Sequence, residues 1–124
     1  MLILAIDDDP NIRRLLELRL EIKGYRVILQ ENGPDALRYM SDPAAAKPDL
    51  VICDVQMPGM DGYEVCQRLR ASGFRGPFLF LTSKHLTQDK VRGLEVGADD
   101  YILKPFDPHE LEAKLAGYQK RAPT

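Results

Sequence analysis

Apolar residues gather along this chain in five short, mostly continuous runs: Leu2–Ile6, Tyr25–Leu29, Leu50–Cys53, Pro77–Leu81 and Tyr101–Leu103. They lack the strict alternation of a strand with one wet face. Unbroken runs of this length suit strands covered on both sides, as in a parallel sheet. Between them the period changes. Ile12, Leu15, Leu16, Leu18, Leu20 and Ile22 include steps of three and four within Pro10–Lys23, and Gly24 follows as a stop. Asp9 is placed to cap this helix, with Pro10 at its first position. A second helix, from about Pro34 to Met40, follows the turn signal Asn32-Gly33. A third starts at Asp61, whose spacing to Glu64 is that of a capping box, and Val65 and Leu69 give it an apolar face. A fourth runs from about Leu86 to Val96, closed by Gly97. The fifth repeats the capping pattern with Asp107, Pro108 and Glu110, continues through Leu111 and Leu115, and ends near Lys120.

Strand then helix, five times over, predicts an α/β fold: a (βα)5 doubly wound parallel sheet with helices on both faces and right-handed crossovers. Sites in such folds lie outside the carboxyl ends of the strands. Asp7 and Asp8 end the first strand, Asp54 the third, Thr82 the fourth and Lys104 the fifth. Residues spread over about a hundred positions thereby meet at one edge.

Composition narrows the rest. A length of 124 residues is one ordinary domain, and 44% hydrophobic with 29% charged residues allows a full core. A net charge of -2 and a pI near 5.7 leave no overall basic footprint for nucleic acid. No apolar run nears the roughly 20 residues of a membrane span, and no basic region with a long apolar stretch opens the chain. Met1 directly precedes the first strand, which reads as a native start. Cys53 and Cys66 stand apart from any histidine cluster, so a reducing cytoplasm is the default compartment.

Asp7, Asp8 and Asp9 in sequence repel one another, the more so away from water. Either they hang in solvent as a turn or a cation sits among them. Mg²⁺ takes oxygen ligands, commonly one or two carboxylates plus phosphate oxygens and waters. Asp54 is then a natural nucleophile for phosphorus, with metal and Lys104 neutralising the transferring oxygens and the Thr82 hydroxyl donating to another. Taken singly, the Asp pair reads as a solvated cap, Thr82 as a strand-end hydroxyl and Lys104 as a surface lysine. Their joint placement on the correct strand ends favours the phosphoryl reading.

The stretches L-I-L-A-I-D-D-D-P-N-I-R, P-D-L-V-I-C-D-V-Q-M-P-G-M-D-G, F-L-F-L-T-S and G-A-D-D-Y-I-L-K-P-F resemble the receiver domain of two-component response regulators. The resemblance covers essentially the whole chain. It implies residues 1–120 as the receiver domain, residues 121–124 as a tail or the start of a linker, and strand order 2-1-3-4-5. It implies phosphorylation of Asp54, with Mg²⁺, from a phosphohistidine on a sensor histidine kinase or phosphotransfer protein. Carried over, Asp8, Asp54 and the main-chain carbonyl of Gln56 ligate the metal, with Asp7 acting through water. Thr82 and Lys104 hold the phosphoryl group. Tyr101 matches the switch aromatic that turns inward as Thr82 moves; read alone it is a half-buried strand residue. Lys104-Pro105 matches a cis peptide. Gln56 and Lys84 flank the site where hydrolysis of the acyl phosphate is tuned. Ala5 is smaller than the usual Val, and Ser83 replaces a residue that is often Ala.

The fourth helix, fifth strand and fifth helix carry Lys90, Arg92, Glu95, Asp99, Asp100, Glu110 and Lys114. This mixture is similar to the dimerisation face of the OmpR/PhoB-like subgroup, implying a phosphorylation-dependent homodimer; otherwise it is an ordinary charged surface. Lys114 stands where that subgroup usually has Arg and cannot form the bidentate fork. Kinase choice is expected near Asn11–Leu18 and Phe106–Pro108. The expected output is transcription through a separate DNA-binding domain, since these residues hold no helix-turn-helix and no direct nucleic-acid contact is expected; the alternative is a stand-alone receiver acting through protein contacts. An Asp-nucleophile phosphatase would place a D-x-D nucleophile after the first strand, and here the paired acids come first, so an enzyme in the turnover sense is not expected. A docking module that takes no phosphate, and a flavodoxin-like nucleotide binder, which lacks its Gly-rich loop here, are the remaining rivals.

Overall fold

In the computed structural model the described residues are 1–83 and 87–121, the side chains of 87–90 and 121 excepted. The elements alternate as expected: β1 (Leu2–Ile6), α1 (Pro10–Ile22), β2 (Arg26–Gln30), α2 (Gly33–Ser41), β3 (Leu50–Asp54), α3 (Gly62–Ala71), β4 (Phe78–Thr82), α4 (Thr87–Glu95), β5 (Asp100–Leu103) and α5 (Pro108–Arg121). The strands form one parallel sheet in the order β2-β1-β3-β4-β5. The expected bounds hold to within a few residues. β2 begins after Tyr25, β3 reaches Asp54, and β4 includes Thr82. The expected start of the fourth helix at Leu86, the flanking Lys84 and the tail beyond residue 121 lie outside the described residues.

The continuous apolar runs have the reason inferred for them, in the middle of the sheet. β1, β3 and β4 are buried at every position, because successive side chains enter opposite cores. Leu4, Ile6, Val51, Cys53, Phe78 and Phe80 face one core with Ala36 of α2 and Val65, Cys66 and Leu69 of α3. Ile3, Ala5, Leu50, Ile52, Leu79, Leu81 and Ile102 face the other, against Leu16 and Leu20 of α1 and Leu111 and Leu115 of α5. The edge strands β2 and β5 are only half-buried along most of their length.

Helix starts follow the sequence signals. Asp9 Oδ1 accepts from the Asn11 N–H at 2.8 Å with Pro10 in the first turn. Asp61 Oδ1 accepts from the Glu64 N–H at 2.9 Å, and Asp107 Oδ1 from the His109 N–H at 2.8 Å. Each cap satisfies an amide that the helix itself leaves open. No helix among the described residues is long and apolar enough to cross a membrane.

Candidate functional site at the carboxyl edge

Strand register brings the candidate residues together. β1 and β3 are neighbours, so Asp7 and Asp8, just past Ile6, lie beside Asp54 at the end of β3. Asp54 pairs with Leu81 and Thr82 with Leu103, which sets the ends of β3, β4 and β5 side by side. The Lys104 N–H donates to the Thr82 carbonyl at 2.8 Å, and Lys104-Pro105 is a cis peptide. Lys104 Nζ lies 2.9 Å from Asp7 Oδ2 and 3.3 Å from Asp54 Oδ1.

The acids differ in their surroundings. Asp7 is fully buried and Asp54 and Thr82 nearly so, whereas Asp8 is exposed. Carboxylate oxygens of Asp7, Asp8 and Asp54 lie within 4.8 Å of one another. Asp7 Oδ1 accepts from the Asp9 N–H at 2.9 Å. Asp7 Oδ2 is buried without a well-formed hydrogen bond and meets Lys104 as an ion pair. Asp54 Oδ1 accepts from the Gln56 N–H at 3.3 Å. Burial, reinforced by the Asp7 charge, raises the Asp54 carboxyl to about 6 despite Lys104. Burial alone would lower the Lys104 ammonium, but its contact with Asp7 and the charges of both acids raise it overall. One cation thus serves two buried carboxylates, and lone pairs remain for a second. The donor set, all oxygen and three carboxylates, is that of a hard divalent cation.

A close approach in the backbone also builds the site. Gly62 opens α3 and donates its N–H to the Val55 carbonyl at 2.8 Å. A Cβ there would stand 2.3 Å from the Asp54 carbonyl oxygen and 2.9 Å from Val55 Cα. Only a residue without a side chain lets α3 begin against the strand end that carries Asp54. Gly62→Ala is expected to cost ~1–3 kcal/mol in urea unfolding as the helix start is pushed away. Parent-like stability would mean that this junction slides freely.

The charged surface is less uniform than its sequence suggested. Lys114 Nζ pairs with Asp100 Oδ2 at 2.8 Å within the chain. Asp99 Oδ2 accepts from the Phe78 N–H at 2.9 Å and pairs with Arg70 at 3.0 Å. Arg70 also donates to the carbonyls of Gly97, Phe74 and Gly76, so Asp99 is held from the side of α3 at the residue just before β5. Arg92 turns toward α3, 4.3 Å over the Tyr63 ring and 3.8 Å from Asp61. Glu95 and Glu110 are exposed, and the Lys90 side chain lies outside the described residues. Sequence reasoning passed over Val91 and Leu94, which are exposed on α4 at 46% and 66% and lend this face an apolar component. Tyr101 is half-buried against the first core, beside a pocket of about 250 Å³ that Phe80, Gly93 and Leu94 help to line.

Cys53 and Cys66 are free, buried thiols. Burial and the adjoining Asp54 charge push Cys53 well above the usual thiol range, and burial raises Cys66 to about 11. Neither has the thiolate character of a reactive cysteine.

A parallel sheet in this order, with its polar site at the carboxyl edge, defines a doubly wound, flavodoxin-like α/β domain. More narrowly, the chain belongs to the response regulator receiver domains, whose family pattern matches residues 3–116. It is 48% identical over 120 residues to a probable transcriptional regulator, ycf27, of Pyropia yezoensis, covering 97% of this chain and 48% of that protein. It is 44% identical over 120 residues to the alkaline phosphatase synthesis transcriptional regulatory protein PhoP of Bacillus subtilis (strain 168), covering 97% and 49%. The chain thus spans about half the length of these two relatives. Among solved structures, response regulator DrrB, a Thermotoga maritima OmpR/PhoB homolog, superposes with a TM-score of 0.85 at 31% identity, over 97% of this chain and 52% of that one.

Proposed function

We propose that this receiver domain accepts a phosphoryl group on Asp54 from a phosphohistidine of a sensor kinase or phosphotransfer protein. The observation that carries the reading is the meeting of Asp7, Asp8 and Asp54 within 4.8 Å, with Lys104 on two of them. Asp54 attacks phosphorus, the P–N bond breaks, and the imidazole nitrogen leaves with its electron pair. Lys104 pairs with a phosphoryl oxygen and Thr82 donates its hydroxyl to another. Asp8, Asp54 and the Gln56 carbonyl would hold Mg²⁺, with Asp7 joined through water. When bound, the ion supplies neutralisation of charge on the transferring oxygens. Asp54 must be ionised to attack, so phosphorylation at limiting metal should fall as pH drops through about 6. The protein is a stoichiometric acceptor rather than a turnover phosphatase, and acts in the cytoplasm.

The added charge, roughly -1.5 to -2, needs a two-state element to feel it. We assign that role to Thr82 and Tyr101, with the pocket beside Tyr101 as room for its ring, and the output to the α4, β5 and α5 surface. The exposed Val91 and Leu94 support a homodimer there, and the two relatives described as transcriptional regulators support a transcriptional output in the whole protein. Asp100→Lys sets two cations against each other at the Lys114 pair. Loss of phosphorylation-dependent dimerisation is expected by light scattering; normal dimerisation would remove Asp100 from the interface.

The test is native mass spectrometry of the protein with Mg²⁺ and a small acyl phosphate, against Asp54→Ala. One phosphoryl group with a new dimer supports the full reading. One phosphoryl group on a lasting monomer favours a stand-alone receiver. No uptake by metal-loaded protein would leave a docking module.

A further inference from the structure

Arg13 does not enter the phosphoryl chemistry, yet its side chain contacts the backbone of one of the site's acids. It stands in the first turns of α1, and the side chain is only 21% exposed. Nη1 donates to the main-chain carbonyl of Asp7 at 2.7 Å. Nη2 lies 3.9 Å from Glu31 Oε2, just after β2. From the other side of the same residue, the Asp7 N–H donates to the Gln30 carbonyl at 3.1 Å. The peptide that leaves β1 is therefore gripped at both ends of Asp7.

The carbonyl that Arg13 holds belongs to the peptide plane joining Asp7 to Asp8. That plane, together with the rest of the Asp8 backbone, sets where the Asp8 side chain departs. Asp7 has its own anchors in the Asp9 N–H and Lys104. Asp8 is exposed, so its place in the acidic group depends more on its backbone. We infer that Arg13 is a positioning residue for the cation site: it fixes the Asp7–Asp8 peptide so that Asp8 is presented to the metal. This rests on the reading of the acidic group as a metal site.

The inference opposes simple electrostatics. Arg13 is a cation close to a cation site, so acting through charge alone it would repel the metal, and its removal would tighten binding. A positioning role predicts the reverse. Loss of an outer-shell partner commonly costs 10–100-fold in metal affinity.

The experiment counts free Mn²⁺ by EPR, as an octahedral stand-in for Mg²⁺, in titrations of the parent, Arg13→Ala, Arg13→Met, Arg13→Lys and Asp8→Ala. Circular dichroism of each metal-free protein reports folding. Expected are about tenfold or greater weakening in Arg13→Ala and Arg13→Met, near-parent affinity in Arg13→Lys, which keeps a donor, and strong weakening in Asp8→Ala. The Met variant preserves the packing of the stem should the Ala variant not fold. Equal or tighter binding in folded Arg13→Met, with Asp8→Ala impaired, overturns the positioning role alone. Unchanged binding in Asp8→Ala overturns the metal reading, and the inference with it.

Discussion

Asp54→Asn is expected to take up no phosphoryl group and to be more stable than the parent at pH 7. Both effects come from one carboxylate. In the folded chain its carboxyl is raised from 3.8 to about 6, by burial first and by Asp7 second. Folding therefore favours the protonated form. The destabilisation is absent below the unfolded value near 4, grows as pH rises, and is complete above about 6. That displacement corresponds to at most roughly 3 kcal/mol. That shift already includes the attraction of Lys104, and an amide replaces the carboxylate's hydrogen bonds imperfectly, so the net gain expected is ~1–2 kcal/mol. Urea unfolding at pH 4 and pH 7 checks it: the gain should be present at pH 7 and nearly vanish at pH 4. An equal gain at both would trace it to packing rather than to charge. Bound Mg²⁺ would narrow the difference, because mass action favours whichever protein binds the ion better.

Lys104→Ala is expected to produce the opposite imbalance. The ammonium stands 2.9 Å from Asp7 and 3.3 Å from Asp54, and Asp7 has no exposed surface. Breaking a buried ion pair commonly costs about 3–5 kcal/mol. The site is open at Asp8, so ~2–4 kcal/mol is the expected loss at pH 7. Two conditions should restore stability: acid, which protonates Asp54 once its carboxyl has risen still further, and Mg²⁺, which replaces the missing charge. In the parent the raised ammonium keeps its contribution from neutral pH past the usual lysine range and loses it only as pH climbs through the folded value. Unfolding at pH 5 and pH 7, with and without Mg²⁺, separates the causes. A loss indifferent to both would mean that the lysine stem contributes by packing. Phosphoryl uptake should also slow, since the oxygen that Lys104 would neutralise is left to solvent.

Much of this was legible in the chain because the signals were local and repeated. Unbroken apolar runs announced strands in the double-sided core, and Asp9, Asp61 and Asp107 announced helix starts that the structure places where their side chains cap. The convergence of Asp7, Asp8, Asp54 and Lys104 followed from topology, since strand ends in one parallel sheet share an edge. What was not legible depends on distances across the fold. Gly62 carries no signal of its own in the sequence, and only the approach of α3 to the Asp54 carbonyl gives it meaning. Arg92 and Asp99 looked like members of a surface, yet one stacks on Tyr63 and the other is locked by Arg70. A charge pattern gives the residue types on a face but not which of them are already engaged within the chain. Arg13 was hidden for a similar reason, because its partner is a main-chain carbonyl and every residue has one.

The order of the strands along the chain has a consequence for synthesis. A polypeptide emerges from its N-terminus, so Asp7 and Asp8 come first, Asp54 later and Lys104 last. β1 can pair with β2 once α1 has crossed over, it meets β3 only after α2 as well, and β5 can complete the row only once β4 is seated. Until then Asp7 and Asp54 are without the ammonium that pairs with both of them. On the proposed reading of the site, an incomplete nascent chain lacks a finished phosphoryl acceptor. With the counter-cation placed just past β5, the charge balance of the site is completed only when the fifth strand has joined the sheet.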